Sequence, residues 1–424
     1  YAVKRSYGYD RTGNLTHSTD QRTGTTRFEY DKLGRITKAG NELFAFDPAH
    51  NILSDNNSPT VPDNRLKTYN GSSYYYDHFG NLIHRELADG EVQNYFYDLH
   101  DQLVKAEIFK KDGSKETWTY TYDALGRRIG KGRLKNEEVS DGLEEETGFV
   151  WDGSHLLQEV QPDGRYTHIY TDPDSYEPLA QVRNWTNEDG ESKQEIHYFH
   201  CDQIGIPREM TDKDGNLVWF GNYTGWGRLK EETKVTDSAY QPFRLQNQYA
   251  DRETGLHYNF FRYYEPDAGR FVNQDPIGLM GGENLYAFGL NTKAWVDPLG
   301  LASKATAKMQ PYRFSDVSVK GPHADIFVGN KKVTEALLTL DDKGELIWKR
   351  FGDMKSATSK ELKAADKLIS ELKDNSQIMS SAKDQLKKAL TDFEGDLNDP
   401  KSSTRRKDIA KRGIKKFRKM LGKC

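Results

Sequence analysis

The sequence predicts a mainly β chain, in which a ribbon of short strands joined by hairpins is followed by a small α+β domain. Three observations carry this prediction. Pairs of an aromatic residue and an aspartate recur along the first part, turn residues separate them, and helical periodicity is found only after Asp353. No run approaches the ~18 apolar residues of a membrane helix. Without an initial Met or a signal peptide, residue 1 is expected to be an internal point of a longer protein.

The ribbon, expected over residues 1–240, is predicted from the aromatic–Asp pairs. Residues 30–37 and 122–129 show the complete unit, in which the pair is followed by a turn with glycine and a strand-like run. Aspartate caps its own turn, glycine accepts positive φ, and alternating aromatic and polar residues suit a half-buried strand. The pairs are Tyr9-Asp10, Tyr30-Asp31, Phe46-Asp47, Tyr76-Asp77, Tyr97-Asp98, Tyr122-Asp123 and Trp151-Asp152.

Two Asp-Pro-x-Gly turns, beginning at Asp275 and Asp297, are separated by the eighteen residues 279–296. Two carboxylates held within a few ångströms of each other cannot both ionise cheaply, so one can serve as a base and the other as an acid. Arg270 precedes the first turn by five residues and is the candidate cation that keeps one aspartate ionised. Two capped turns at strand ends are the alternative.

The two turns, with Leu301 directly after the second, resemble the end of the core of Rhs proteins. The aromatic–Asp units resemble the YD repeats of Rhs proteins, teneurins and the C component of insecticidal Tc toxins. The resemblance covers residues 1–301 and implies a β-ribbon that spirals into a hollow shell. It also implies that residues 241–301 form the core-associated plug and an aspartyl autoprotease, which cleaves between Leu301 and Ala302.

The family resemblance implies a biological setting as well. The chain is expected to be the closing end of an Rhs toxin used in interbacterial competition, delivered by a contact-dependent machine such as type VI secretion and acting in the cytoplasm of the target cell. The implied partners are the rest of the shell, a secretion spike or chaperone, and a cognate immunity protein. A non-enzymatic adhesive YD-repeat protein with a basic tail is the alternative from another class, and the Asp-Pro-x-Gly pair argues against it.

Composition changes sharply at Leu301. Residues 302–424 contain 28 Lys and Arg against 17 Asp and Glu, whereas residues 1–301 contain 33 against 48. Of the 50 aromatic residues, 43 precede residue 302. The excess of basic residues in the second part favours a polyanionic target. The expected partner is a nucleic acid, and RNA is predicted in preference to DNA.

The second part is predicted to be a small α+β domain behind a linker at 302–309. Its strand-like and helical runs are separated by Gly-Asn and Asp-Lys-Gly turns. Strands are expected at 324–328, 332–340 and 345–351, and helices at 362–372, 378–393 and 407–421.

The chemistry of this domain is predicted from its single histidine, His323. One histidine excludes HNH nucleases and His-rich metal sites, and two cysteines in the whole chain exclude a Cys-rich zinc site. A metal-independent ribonuclease needs one general acid/base and cations at the phosphate. The candidate cations are Lys320, Lys331, Lys349 and Arg350. We expect no metal and no cofactor. His197, His200 and Cys201 lie close together in the ribbon but lack a fourth ligand, and are interpreted as structural.

The last helix is the candidate nucleic-acid interface. Residues 401–424 contain 11 Lys and Arg and a single acid. The predicted contact residues are Arg405, Arg406, Lys411, Arg412, Lys415, Lys416, Arg418 and Lys419. A solvated basic helix is the alternative to nucleic-acid binding. An ADP-ribosyltransferase and a metal-dependent DNase are the alternative activities, each weakened because its motif is incomplete or falls in a predicted helix.

Overall fold

The computed structural model of the chain describes residues 3–11, 13–173, 175–301, 306–309, 322–328, 331–341, 345–352, 362, 365–366, 368–370, 372, 376–399 and 402–422. It divides into two compact units, Tyr1–Ala302 and Ser303–Cys424. Within the described residues, no helix is long and apolar enough to cross a membrane.

The first unit is a succession of antiparallel hairpins, as the repeat predicts. A five-stranded sheet is followed by a two-stranded pair and then by a fifteen-stranded sheet, in which each described strand pairs with the next one along the chain. The first sheet consists of β1 Arg5–Tyr9, β2 Leu15–Asp20, β3 Gly24–Tyr30, β4 Ile36–Ala39 and β5 Glu42–Leu43. The pair consists of β6 Ala45–Phe46 and β7 Ile52–Leu53.

The fifteen-stranded sheet begins at residue 68 and ends at residue 234. Its strands are β8 Thr68–Tyr69, β9 Ser72–Tyr76, β10 Leu82–Glu86, β11 Val92–Tyr97, β12 Leu103–Phe109, β13 Lys115–Tyr122, β14 Arg128–Leu134, β15 Leu143–Asp152, β16 His155–Gln161, β17 Gly164–Tyr170, β18 Pro178–Thr186, β19 Ser192–Cys201, β20 Pro207–Thr211, β21 Leu217–Tyr223 and β22 Leu229–Lys234. A four-stranded sheet follows, with β23 Tyr249–Ala250, β24 His257–Asn259, β25 Arg262–Glu265 and β26 Arg270–Phe271.

In most of the repeats the aspartate caps its turn. Asp123 Oδ1 accepts hydrogen bonds from the amides of Leu125 at 2.9 Å and Arg127 at 3.0 Å, and Oδ2 accepts from Arg127 Nε at 2.7 Å. Burial acts to raise the pKa of Asp123, but these hydrogen bonds lower it. The same pair of amides, two and four residues on, is capped by Asp31, Asp47, Asp98, Asp202 and Asp212.

The aromatic member of the pair joins its hairpin to the preceding one. The Tyr122 hydroxyl donates to the carbonyl of Leu103 at 2.7 Å, and Trp151 Nε1 donates to the carbonyl of Arg128 at 2.7 Å. The ring packs in the core while its polar tip satisfies a carbonyl near the start of the earlier strand. Hydroxyls of Tyr30, Tyr97 and Tyr170 do the same to Leu15, Leu82 and Leu156.

Buried ion pairs attach residues 249–265 to the long sheet. Arg128 binds both carboxylate oxygens of Asp251, at 2.6 and 2.9 Å, and Lys131 binds Glu253 at 2.9 Å. Arg85 pairs with Glu265 in the same manner. Because removing one partner from a buried pair costs about 3–5 kcal/mol, these contacts fix the register of the segment that carries the site described below.

The second unit is an antiparallel sheet with helices, as predicted. Its described strands are β27 Thr306–Met309, β28 His323–Val328, β29 Lys331–Leu340 and β30 Leu346–Phe351, in that order across the sheet. The last three agree with the predicted strands to within one residue at each end. The expectation of a linker at 302–309 is corrected, because its last four residues form strand β27. This strand forms by pairing with β28, whereas the small and charged residues of the segment show no strand pattern of their own.

The described part of this unit also contains two long helices, α1 Ser376–Asn398 and α2 Thr404–Met420. Residues 362, 365–366 and 368–370, within the helix expected at 362–372, are helical as well. They pack through Phe393 and Phe417, whose ring centroids lie 5.7 Å apart. Gly413 of α2 lies against Phe393, where an added Cβ would be 2.4 Å from Cε2. This close approach explains a glycine inside a helix, where it is otherwise destabilising.

Candidate active site

Hairpin β24–β25 brings Arg262 between the two Asp-Pro-x-Gly turns. Arg262 Nη2 lies 3.2 Å from Asp275 Oδ2 and 3.6 Å from Asp297 Oδ2. Because both distances start at one nitrogen, the two carboxylate oxygens are less than 7 Å apart. Both aspartates are buried, with 5% and 8% of their surface exposed. The structure therefore brings together the two acids that the sequence singles out.

The first turn orients Asp275 through its own backbone. Asp275 Oδ1 accepts from the amide of Ile277 at 3.1 Å, and its carbonyl accepts from the amide of Gly278 at 2.8 Å. The amide of Asp275 donates to the carbonyl of Leu285 at 2.9 Å. The turn is thus closed on itself and tied to the segment between the two turns.

The second turn places Leu301 directly beside Asp297. The amide of Leu301 donates to Asp297 Oδ1 at 2.8 Å, and Asn259 Nδ2 donates to the carbonyl of Asp297 at 3.0 Å. Gly300 has φ +65°, and an added Cβ would be 2.5 Å from the carbonyl oxygen of Asn259, so only glycine fits. Asp297 Oδ2 is buried and has no hydrogen-bond partner among the described residues. Its ion-pair partner among the described residues is Arg262, at 3.6 Å.

Arg262 ties both turns to the strand that carries it. Its Nε donates to the carbonyl of Gly300 and its Nη1 donates to the carbonyl of Leu285, the latter at 3.0 Å. The guanidinium lies 3.6 Å from the centroid of the Phe271 ring. Burial lowers the pKa of Arg262 to about 10, against the opposing effect of Asp275 and Asp297. The side chain is still a cation at neutral pH.

The electrostatics distinguish the two carboxyls. Burial raises the pKa of Asp297 to about 6, although Arg262 and the amide of Leu301 act to lower it, and Asp275 raises it further. Asp275 is the carboxylate closer to the guanidinium. A carboxyl with a pKa close to neutrality can give up and regain a proton at working pH, which is the property of a general acid.

The arginine that lies beside both aspartates is Arg262, not Arg270. Arg270 Nη1 donates to Asn51 Oδ1 at 3.2 Å, its Nη2 donates to the carbonyl of Asn64, and it stacks 4.8 Å from the centroid of the Tyr286 ring. These contacts direct its guanidinium to the β7 region. The sequence does carry a signal for the correct arginine: Arg262 is the one basic residue within the aromatic run 258–264.

In the second unit, the structure separates the predicted catalytic set. His323 pairs in register with Leu337 and Leu337 with Lys349, so His323 and Lys349 occupy one row across three strands. Arg350 is the next residue and belongs to the other side of the sheet, where it pairs with Asp366 at 3.1 Å. Lys320 lies outside the described residues, as does the side chain of Lys331.

The eight predicted nucleic-acid contacts all lie in α2, but they divide by environment. Arg406 binds Asp396 at 2.9 Å and Arg418 binds Glu394 at 2.7 Å; these bridging arginines connect α2 to α1. Lys416 is half-buried, and burial lowers its pKa. At about 100° per residue, four exposed cations fall on the helix face opposite the buried residues. This basic stripe consists of Lys411, Arg412, Lys415 and Lys419.

The histidine and cysteine cluster of the ribbon makes structural contacts. His197 contacts Glu195 at 3.2 Å, and His200 contacts Thr211 Oγ1 at 2.9 Å. In the part of the chain that the structure describes, no three His, Cys, Asp or Glu residues are grouped so that they could hold a metal ion.

Comparisons with known proteins agree with this architecture. A family model described as RHS protein matches residues 196–233, and one described as Teneurin YD-shell matches residues 3–140. The chain is 38% identical over 331 residues to Double-stranded DNA deaminase toxin A of Burkholderia cenocepacia, covering 73% of this chain and 23% of that protein. It is 31% identical over 361 residues to Toxin protein Tse5 of Pseudomonas aeruginosa, covering 70% of this chain and 27% of that protein.

A third similar protein is Probable deoxyribonuclease RhsB of Dickeya dadantii, which is 30% identical over 343 residues, covering 73% of this chain and 21% of that protein. The chain spans about a quarter of the length of these relatives.

Proposed function

Since the chain belongs to the Rhs family of YD-repeat proteins, we propose that it is the terminal part of a toxin that cleaves itself after Leu301 and releases residues 302–424. One observation carries the proposal: two buried aspartates share one guanidinium, and the amide of Leu301 is bound to one of them. In this proposal residues 1–240 contribute to a shell, residues 241–301 form the plug with the autoprotease, and residues 302–424 are the toxic domain.

The geometry supports a division of labour between the acids. Asp275, nearer to Arg262, is the base that takes a proton from water as the water oxygen attacks the carbonyl carbon of Leu301. Asp297, with its pKa raised to about 6, is the acid that gives its proton to the nitrogen of Ala302 as the C–N bond breaks. Arg262 keeps Asp275 ionised and holds the Gly300 carbonyl, which positions the bond to be cut.

Mutation of either aspartate tests the cleavage. The wild-type chain, purified under denaturing conditions, is expected to run as two fragments, and N-terminal sequencing of the smaller one should begin at Ala302. Asp275→Asn and Asp297→Asn should each run as one chain. An intact wild-type band, or a variant that still splits at this bond, would refute the autoprotease.

For the second unit we infer a toxin directed at nucleic acid. The basic stripe supports phosphate binding, and two similar proteins carry names that refer to DNA. A ribonuclease using His323 as general acid/base, with Lys349 in the same row of the sheet, is the activity we propose. A DNase or an ADP-ribosyltransferase is the alternative.

Incubating the chain with total RNA, plasmid DNA and NAD distinguishes these activities. RNA degradation that disappears in His323→Ala, while RNA affinity is retained, is the expected result, because losing a general acid/base typically lowers rate by 10²–10⁴ with little change in binding. Intact RNA alongside cut plasmid or transferred ADP-ribose would assign the alternative activity. In the cell, the proposed partners are the rest of the shell, a type VI spike or chaperone, and an immunity protein with an acidic face.

A further inference from the structure

A polar cavity lies between the first sheet and the end of the long one, apart from the aspartate site. Its volume is about 310 Å³, at the lower end of the range for small-molecule sites. Strands β1–β5 form one wall, and β20–β22 form the other. Hydroxyl and amide groups of Tyr7, Thr25, Asn41 and Asn222 are among its lining.

Most charges in the cavity wall are already satisfied by each other. Arg5 binds Asp20 at 3.1 Å and Glu209 at 2.5 Å. Arg208 binds Asp202 at 2.9 Å, and Glu42 accepts a hydrogen bond from the amide of Gly225. The ion pairs engage Asp20, Asp202 and Glu209, whereas Glu42 is held by a backbone amide and makes no ion pair with a described residue.

Two cations of the wall have no ion pair with a described residue: Lys230, which is exposed, and Lys293, which is buried. Only 7% of the surface of Lys293 is exposed, the residue lines the cavity, and its ammonium makes no hydrogen bond or ion pair with a described residue. Its Nζ lies 5.6 Å from the centroid of the Phe28 ring. The backbone around it is held in place, since Asn291 Nδ2 donates to the carbonyl of Gly34 at 2.8 Å and Thr292 Oγ1 donates to that of Gly225 at 2.5 Å.

A buried ammonium without a partner is costly, so proteins normally pair it. Burial lowers the pKa of Lys293 to about 8, and Arg208 lowers it further, against the opposing effect of Asp202 and Glu42. The wall carries five cations and four acids, so its formal charge is +1. One small anion would supply the partner that the buried ammonium of Lys293 lacks.

We propose that this cavity binds a small anion with a carboxylate or phosphate group, whose oxygen pairs with the ammonium of Lys293. The pairing is a charge-assisted hydrogen bond, which is roughly twice as strong as a hydrogen bond between neutral groups. The site is independent of the proposed self-cleavage and of the toxic activity.

Isothermal titration of the whole chain with sodium acetate and with inorganic phosphate, in a chloride buffer, tests the proposal. We expect at least one of the two to bind, and Lys293→Met to weaken that binding by about tenfold to a hundredfold, the usual effect of losing a hydrogen bond to a charged group. The control Lys32→Met removes an equal charge from an exposed turn and should bind as wild type does. Acetate and phosphate together distinguish a carboxylate site from a phosphate site.

A second measurement needs no variant and covers the case in which Lys293→Met fails to fold. Reductive methylation of the wild-type chain, read by mass spectrometry, should modify Lys293 less when the bound anion is present, while Lys32 is modified equally. Binding that is unchanged in Lys293→Met, or an absence of both binding and protection with the two anions, would overturn the proposal.

Discussion

Replacing Arg262 by methionine tests how the two aspartates share their charge. Methionine fills a similar volume but removes the guanidinium that lies 3.2 Å from Asp275 and 3.6 Å from Asp297. It also removes the donors to the carbonyls of Gly300 and Leu285. We expect self-cleavage to slow by at least about a hundredfold at pH 7, in line with the loss of one preorganised charged donor.

The magnitude follows from the buried charges. Removing one partner from a buried ion pair costs about 3–5 kcal/mol, unless the remaining group becomes neutral. Without Arg262, only the backbone amides of Leu301 and Gly300 oppose the effect of burial on Asp297, whose pKa already lies at about 6. We therefore expect the loss of this cation to disfavour the ionised form of the two carboxyls, and with it the base. Because each unit of pKa changes the ratio of ionised to neutral carboxyl tenfold, raising the pH should restore part of the cleavage in Arg262→Met.

The assay begins with uncut chain from inclusion bodies. The chain is refolded by dilution, samples are quenched in denaturant over time, and the cut fraction is measured on gels between pH 6 and pH 9. Arg270→Met is the matched control, since Arg270 is also a buried arginine of the same four-stranded sheet but binds Asn51 and Asn64. Equal rates for Arg262→Met and wild type, or equal slowing in Arg270→Met, would refute the assignment of Arg262.

Further substitutions test the buried carboxyl, the turn caps and the basic helix. In a chain kept uncut by Asp275→Asn, adding Asp297→Asn should raise the free energy of unfolding at pH 7.5 and leave it unchanged below pH 4, because a carboxyl with a raised folded pKa loses stability as the pH rises towards 6. The gain should be less than about 3 kcal/mol, since part of the raised pKa of Asp297 is due to Asp275, and denaturant titration at both pH values measures it. Asp123→Ala should lower the free energy of unfolding at pH 7 by about 1–2 kcal/mol, whereas the exposed control Asp189→Ala should leave it unchanged; thermal or denaturant unfolding measures both. The difference between the two variants should shrink as the pH falls below 4, because a carboxylate with a lowered folded pKa then takes up its proton. Replacing the residues of the basic stripe by glutamine should weaken RNA binding and reduce the slope of log affinity against log salt by up to about one unit for each phosphate that is no longer neutralised; filter binding over a range of salt concentrations measures this. Replacing the bridging arginines by glutamine should instead lower the melting temperature, measured by thermal unfolding, with little effect on RNA affinity.

Much of the fold follows from local chemistry. An aspartate that caps its own turn, a glycine with positive φ and a strand of alternating residues act within about ten positions of each other, so the ribbon can be recognised without knowing what it packs against. The stripe on α2 follows equally from helical period. The two Asp-Pro-x-Gly turns identify the acids of the site, because the feature lies in the residues themselves and in their spacing.

Local sequence thus specifies which segments form strands and helices, where the composition changes, and which two aspartates form a pair. The surroundings of these residues come from the folded chain. The choice of Arg262 over Arg270, the strand Thr306–Met309 and the unpaired ammonium of Lys293 depend on residues tens to hundreds of positions away. Burial and pairing of charge are properties of an environment that folding assembles, and no short window of sequence contains them.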